Sequence, residues 1–364
     1  MVPTPQSPIS NLQPSPLALV TGATGMLGRH TTAYLRQKGV RVRAFVRPQS
    51  DVRYLQEAGV ALVYGDAADL QAIRQAVQGA DLIFHLAAYL TVSAPFGAED
   101  DSPLYQVVNV DFTEHLLAAA LEAGVSRFIF ASSNSVYALD APVPTPEDAP
   151  LAPESTYGRS KLAAEALVRI YGQRGLPTTI VRPSVIYGPG DRYFTPTALR
   201  LARMPILPLV NGGETLFDMV YARDVARLLW RAAFHDRAVG RVYNAGPGTP
   251  TTLRQLVAAY RRLTGSGPRI VHVSDRLVSS KLSSSKLTSS KLTPSALARR
   301  FAPLVRPLIA RLAPGAEAAL TPQGLALMSQ DIHLDMRRAE EELDYRVKNT
   351  LEEGLRQTLR NRQS

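Results

Sequence analysis

The sequence predicts an α/β protein, a doubly wound parallel sheet joined to a smaller, mostly C-terminal substrate-binding domain. Three observations carry that expectation. Short apolar runs of strand length alternate with longer amphipathic stretches through most of the 364 residues. Several of the runs are near-continuously apolar, as strands buried on both faces are. A glycine-rich turn, "TGATGMLG", stands between the first run and the first helix candidate.

Taken in order, strands are expected at "LALVTG" (17–22), "VRVRAFV" (40–46), "ALVYGD" (61–66), "DLIFHLAA" (81–88), "RFIFASS" (127–133), "TTIVRP" (178–183) and "RVYNAG" (241–246). Helices are expected at 26–38, 69–78, 104–123 and 157–174. In such a fold, chemistry collects at the carboxyl ends of the strands where their order reverses. The opening "MVPTPQSPISNLQPSP" (1–16) has neither a basic region nor an apolar core and reads as a disordered proline-rich tail, not a signal peptide. No apolar run approaches the roughly 18 residues of a membrane span. With no cysteine, the chain has no disulfide framework, thiolate zinc site or cysteine nucleophile. That suits a reducing cytosol, and no metal site is expected.

The formal charge of +10 is local. Between Arg254 and Arg311 twelve arginines and lysines face one acid, Asp275. No aromatic platform or reading motif accompanies them, so a nucleic-acid partner is not expected. Within that window, 279–295 ("SSKLSSSKLTSSKLTPS") is a low-complexity insert. In 296–312, Leu297, Phe301, Leu304, Val305, Leu308, Ile309 and Leu312 follow helical spacing, interrupted by Pro303 and Pro307. Two readings of that segment stand: an apolar side that covers the substrate pocket, or a basic amphipathic face that meets an anionic membrane.

In the turn, Gly22, Gly25 and Gly28 let the backbone and a helix N-terminus approach a pyrophosphate, so Gly22, Thr24, Gly25, Met26, Leu27 and Gly28 form a candidate dinucleotide cradle. After the second strand stands Arg47, where an enzyme built for NAD normally has an acid; its guanidinium suits the 2′-phosphate of NADP. NADP is therefore expected ahead of NAD. Asp66, with Ala67, is placed to meet the adenine, and the alternative for Asp66 is a helix cap. His85, inside the fourth strand, reads as a satisfied core histidine.

"STYGRSK" puts Tyr157 and Lys161 four residues apart on one helix face. A phenol that is partly ionised near neutral pH needs its pKa lowered by roughly three units, about 4 kcal/mol. An ammonium about 4 Å away supplies on the order of 4 kcal/mol at an effective dielectric near 20. Tyr157 and Lys161 are thus expected to form an acid–base unit, with a serine from the end of the fifth strand bonding the reacting oxygen.

The set "TGATGMLG", "GDAADL", "HLAA", "VNV", "FASSNSVY", "YGRSK", "VRPSVIYGPGD" and "YARDVA" resembles the extended short-chain dehydrogenases/reductases, of the epimerase/dehydratase and 3β-hydroxysteroid dehydrogenase group. The resemblance covers about 17–260 and resumes at 320–360. It implies a Rossmann-type NAD(P)-binding domain at 17–186, with 216–246 returning to it, and a substrate lobe from 187–215 and 247–360. It makes Tyr157 the general acid/base, Lys161 its activator and holder of the nicotinamide ribose, and Ser133 the hydroxyl that orients substrate. Ser132 is the neighbouring candidate. Asn109 would organise the central helix, while Leu86, Ala87, Ala88, Pro183 and Ser184 would line the cofactor. Ser132, Tyr187 and Phe217 are the substrate candidates. Phe217 stands where sugar-nucleotide epimerases carry an arginine for the diphosphate, which favours an apolar, hydroxysteroid-like or dihydroflavonol-like alcohol or ketone. A nucleotide-sugar epimerase or dehydratase and a non-catalytic cofactor-binding sensor are the alternatives. A cytoplasmic protein is expected from the absence of cysteine, membrane-associated if 296–312 meets a bilayer, and relatives suggest a homodimer by analogy.

Overall fold

In the computed structural model, residues 15–91, 102–192, 194–273 and 331–360 are described; most of the tail and the two segments 279–295 and 296–312 lie outside them. Seven strands form one parallel sheet: β1 (Leu17–Thr21), β2 (Arg41–Val46), β3 (Ala61–Tyr64), β4 (Leu82–His85), β5 (Arg127–Ala131), β6 (Thr178–Pro183) and β10 (Val242–Ala245). Their order is β10-β6-β5-β4-β1-β2-β3, so it reverses between β1 and β4. All seven coincide with the expected strands to within a few residues at each end. The third ends at Tyr64, two residues short of Asp66.

The apolar runs are continuous because each strand feeds two cores. Ala18, Val20, Leu82, Phe84, Ile129 and Val181 point to one face, under α1 (Met26–Gln37) and α7 (Ala222–Ala233). Leu19, Ile83, Phe128, Phe130 and Ile180 point to the other, under α3 (Leu70–Val77), α4 (Phe112–Glu122) and α5 (Thr156–Gln173). Each of these Val, Leu, Ile and Phe side chains contributes about 1.5–3 kcal/mol on burial. A short helix, α2 (Arg53–Glu57), precedes β3. The single helix expected at 104–123 is instead a π-helical segment, Tyr105–Asp111, that runs directly into α4.

The smaller part holds two parallel strand pairs, β7 (Val185–Tyr187) with β9 (Met219–Tyr221) and β8 (Ile206–Val210) with β11 (Arg269–Val273). Around them lie α6 (Phe194–Ala202) and α8 (Leu253–Thr264), the latter opened by a Thr252–Gln255 capping box. The C-terminal residues carry α9 (Arg337–Leu343) and α10 (Leu351–Arg360). Here the lobe boundary differs from the expected one. Met336, Ala339, Leu343 and Tyr345 join the large sheet's core with Val225 and Leu228 of α7, so 336–345 packs with the nucleotide-binding half. Among the described C-terminal residues, α10 packs into the smaller part through Leu351 and Leu355, and Ile332 bridges to Phe217 beside it.

Candidate active site

At the reversal point the loops after β1 and β4 touch. Gly22 lies at φ +68°, and a Cβ there would stand 2.7 Å from the backbone nitrogen of Ala87. A Cβ on Gly28 would meet the Gly22 carbonyl oxygen at 2.1 Å. Neither position admits a side chain, and helix α1 starts at Gly25 with no side-chain cap and no acid in its first turn. Its N-terminal N–H groups thus present partial positive charge to an anion. Thr24, Met26 and Leu27 complete the turn, and Leu86, Ala87 and Ala88 follow β4 beside it. Pro183 ends β6; the buried hydroxyl of the next residue, Ser184, has no hydrogen-bond partner among the described residues. A bare glycine cradle, an uncapped helix start and an orphaned hydroxyl are what a bound dinucleotide would require of these positions.

Arg47 is exposed just past β2. Asp66 and Ala67 lie past β3, where Asp66 Oδ1 accepts from the Ala68 N–H at 2.9 Å. The cap of α3 is Asp69, which accepts from the Ala72 N–H at 2.9 Å. The alternative of Asp66 as helix cap is therefore set aside.

Tyr157 and Lys161 occupy the first two turns of α5, whose N-cap Ser155 accepts from the Gly158 N–H at 3.0 Å. Gly158 is the reason the helix can start where it does: a Cβ there would stand 2.4 Å from the Ser135 carbonyl oxygen. That close approach sets the Tyr157 turn against the turn that carries Ser133, whose hydroxyl lies near enough to the phenol to favour its ionised form. Ser133 sits two residues past β5, capping a short turn by accepting from the Ser135 N–H at 3.1 Å. Tyr157 and Ser133 thus come together past the carboxyl end of β5, while Lys161 lies against Phe130 of that strand.

Their electrostatics differ from the expectation. Burial pushes the Tyr157 phenol up to about 12; the Ser133 hydroxyl works against the rise and Tyr105 adds to it. Burial also pushes the Lys161 ammonium down to about 7, against the pull of Glu165. Its Nζ lies 4.1 Å from the centre of the Phe130 ring. Burial thus favours a protonated phenol over the expected phenolate, and makes the Lys161 ammonium easy to neutralise.

Two substrate candidates are placed elsewhere than expected. Tyr187 and Phe217 belong to a packed cluster with Met219, Tyr221, Ala259 and Leu355. The Tyr187 hydroxyl donates to the Leu351 carbonyl, and Phe217 stacks on Phe194 with ring centres 5.6 Å apart. Their role in this structure is packing. Ser132 is buried and faces the Glu165 carboxylate.

The sequence reading passed over two residues behind the site, Arg182 and Glu165. Arg182 donates to both Glu165 oxygens, at 2.8 and 2.7 Å, with both side chains fully buried. Burial works to raise the Glu165 carboxyl, yet those bonds carry it below the usual range. The signal was present: Glu165 follows Lys161 by four residues, on the same helix face. Asn109, in the π-helical segment, accepts from the Tyr89 N–H at 2.7 Å and donates to the Ser160 hydroxyl at 2.9 Å.

A parallel sheet with a glycine cradle at its reversal point and a Ser–Tyr–Lys constellation beside it defines a nicotinamide-dependent enzyme of the extended short-chain dehydrogenase/reductase type. The model of the NAD dependent epimerase/dehydratase family matches residues 18–246, and the chain belongs to that family. Sterol demethylase protein B of Methylococcus capsulatus is 34% identical over 68% of this chain and 74% of its own. A 4-hydroxy-2-methyl-3-oxo-4-farnesyl-3,4-dihydroquinoline-1-oxide ketoreductase of Stigmatella aurantiaca is 28% identical over 92% of this chain and 93% of its own. Among solved structures, MoeE5 in complex with UDP-glucuronic acid and NAD is 26% identical, with a TM-score of 0.67 over 95% of this chain and 98% of that one.

Proposed function

We propose that the protein is an NAD(P)-dependent oxidoreductase that interconverts a secondary alcohol and a ketone on an apolar substrate. The observation that carries this reading is the Tyr157 phenol, set toward the Ser133 turn at the carboxyl end of β5 by the close approach at Gly158 and kept protonated by burial. A phenol held near 12 keeps its proton at neutral pH and can deliver it to a carbonyl oxygen, which suits ketone reduction. Ser133 orients and polarises that oxygen, Tyr157 gives up its proton to it, and Lys161 holds the nicotinamide ribose and stabilises the phenolate left behind. The cradle at Gly22–Gly28 takes the pyrophosphate. The bound nicotinamide supplies the hydride. Phe217, packed in the core of the smaller part, leaves no guanidinium at that position for a sugar diphosphate, and the sterol- and farnesyl-related names of two relatives favour an apolar substrate. The 26% identity to a UDP-sugar-binding protein supports a second reading, a nucleotide-sugar epimerase or dehydratase that uses the same residues.

A screen of ketones and alcohols of steroid, isoprenoid and flavonoid type against UDP- and GDP-sugars, followed by NAD(P)H absorbance, separates the two. Net cofactor oxidation with an apolar ketone is expected; conversion of a nucleotide sugar with no net change in cofactor would overturn the proposal. With the active ketone, Tyr157→Phe is expected to abolish turnover while cofactor affinity stays within a few-fold; a near-normal rate would remove Tyr157 from its role. We further propose NADP as the preferred form, bound through Arg47. Arg47→Asp is expected to move the NADP-to-NAD ratio of kcat/KM toward NAD by roughly 10- to 100-fold, the worth of a lost charge-assisted pair. A wild type that already prefers NAD would refute it.

A further inference from the structure

The buried polar groups between the cofactor loop and the catalytic helix form one continuous line. Thr21 Oγ1, at the end of β1, accepts from the N–H groups of Leu86 and Ala87, both at 3.2 Å. It lies 2.7 Å from His85 Nδ1. On the far side of the ring, Nε2 lies 2.9 Å from Thr113 Oγ1. Thr113 donates to the Asn109 carbonyl at 2.7 Å. Asn109 Nδ2 donates to Ser160 Oγ at 2.9 Å, and Ser160 donates to the carbonyl of Tyr157 at 2.7 Å.

Only one set of proton positions satisfies this line. Thr113 spends its proton on Asn109, so it must accept from His85, and Nε2 carries the hydrogen. Thr21 has both lone pairs occupied by amides, so its proton goes to Nδ1. Every member is satisfied and each hydroxyl has one orientation. Thr21, His85, Thr113, Asn109 and Ser160 are all buried. The imidazole is enclosed by the rings of Phe112, Phe128 and Phe130.

We propose that His85 is a positioning residue whose two ring nitrogens tie the Leu86–Ala87 cofactor loop, through Thr21, to the Tyr157 turn of α5, through Thr113, Asn109 and Ser160. The inference rests on the oxidoreductase reading for its kinetic consequence and on geometry alone for the coupling. A neutral ring is essential, because a second ring proton would point at an oxygen that has no lone pair left. Burial, with Lys161 nearby, holds the imidazole neutral down to about pH 3. The line fixes where the phenol stands relative to the loop that lines the cofactor, an offset on which a transfer distance depends.

The test cuts the line far from both ends and reads it at both. Thr113→Val keeps the volume and removes the hydroxyl; Thr113→Ser restores it. Hydrogen–deuterium exchange on the full chain is expected to quicken about tenfold at the Leu86 and Ala87 amides in Thr113→Val and to return toward wild type in Thr113→Ser. With a ketone substrate, kcat is expected to fall on the order of 100-fold in Thr113→Val, with the Kd for NADPH, read by its fluorescence, within about threefold. Should Thr113→Val fail to fold, Ser160→Ala is read at the same two amides with the same expectation. Unchanged exchange at Leu86 and Ala87 overturns the proposal, even if the melting temperature falls. A wild type inactive on every ketone would defeat the oxidoreductase reading alone, since the exchange result stands without turnover.

Discussion

Lys161 and Tyr157 share a helix face, and burial moves both toward their uncharged forms. For the phenol that means a proton retained; for the amine it means a proton held weakly, at about 7. The lysine's folded-state value lies below its ordinary 10.5, so the unfolded chain binds more protons in between. The cost of burying the ammonium is therefore complete below about pH 7 and shrinks by roughly 1.4 kcal/mol for each pH unit above it. Lys161→Met, which leaves an apolar chain against Phe130, is expected to be more stable than wild type at pH 6, with the advantage largely gone by pH 10. Urea unfolding across that range measures it. An advantage independent of pH would mean that the amine is solvated in the folded state.

The position of α5 depends on one missing methyl group. Gly158 packs against the Ser135 carbonyl oxygen and, on its other side, against Pro153, whose Cβ would stand 2.8 Å from an added Cβ. Both neighbours belong to the chain's framework and cannot swing aside. Gly158→Ala is therefore expected to move the start of α5, and the Tyr157 phenol with it, away from the Ser133 turn. Against the helix-propensity gain of alanine, the overpacking costs about 1–3 kcal/mol, and kcat is expected to drop on the order of 100-fold. A variant equal to wild type in both melting temperature and kcat would show that the contact is slack. Seven strands were legible because their apolar runs have the length and continuity of doubly buried strands, and the shared helix of Tyr157 and Lys161 because their spacing is helical; Ser133 was singled out only through the family resemblance. The π-helical segment was not legible, since "YQVVNVD" carries no signal that separates i→i+5 bonding from i→i+4. Nor was the phenol's environment: the spacing places an ammonium nearby, but only the packed structure shows how much water has left.

Across the whole molecule, the residues re-entering at 331–336 join parts that are distant in sequence. His333 carbonyl accepts from the Thr145 N–H at 2.7 Å, and the Ile332 carbonyl accepts from the Asp218 N–H at 3.1 Å. The His333 ring meets Asp218 Oδ1 at 3.0 Å, while the other carboxylate oxygen accepts from the Leu334 N–H at 2.8 Å. Asp218 is fully buried just before β9, so one carboxylate clasps the C-terminal return onto the strand pair of the smaller part. The hydrogen bond to Asp218 raises the imidazole above its ordinary value, against a smaller opposing effect of burial, and Asp335 adds to the rise. With a raised folded-state value, the folded chain binds more protons than the unfolded one. The stabilisation is complete below the ordinary histidine value of about 6.5 and fades as pH rises through the raised one. Wild type is therefore expected to lose more stability than His333→Gln between pH 6 and pH 9, with the two converging at the alkaline end. Denaturant midpoints at intervals of half a pH unit would read this. A gap between the two proteins that stayed constant or widened with pH would mean that His333 bonds Asp218 as a neutral ring, and that the clasp carries no charge.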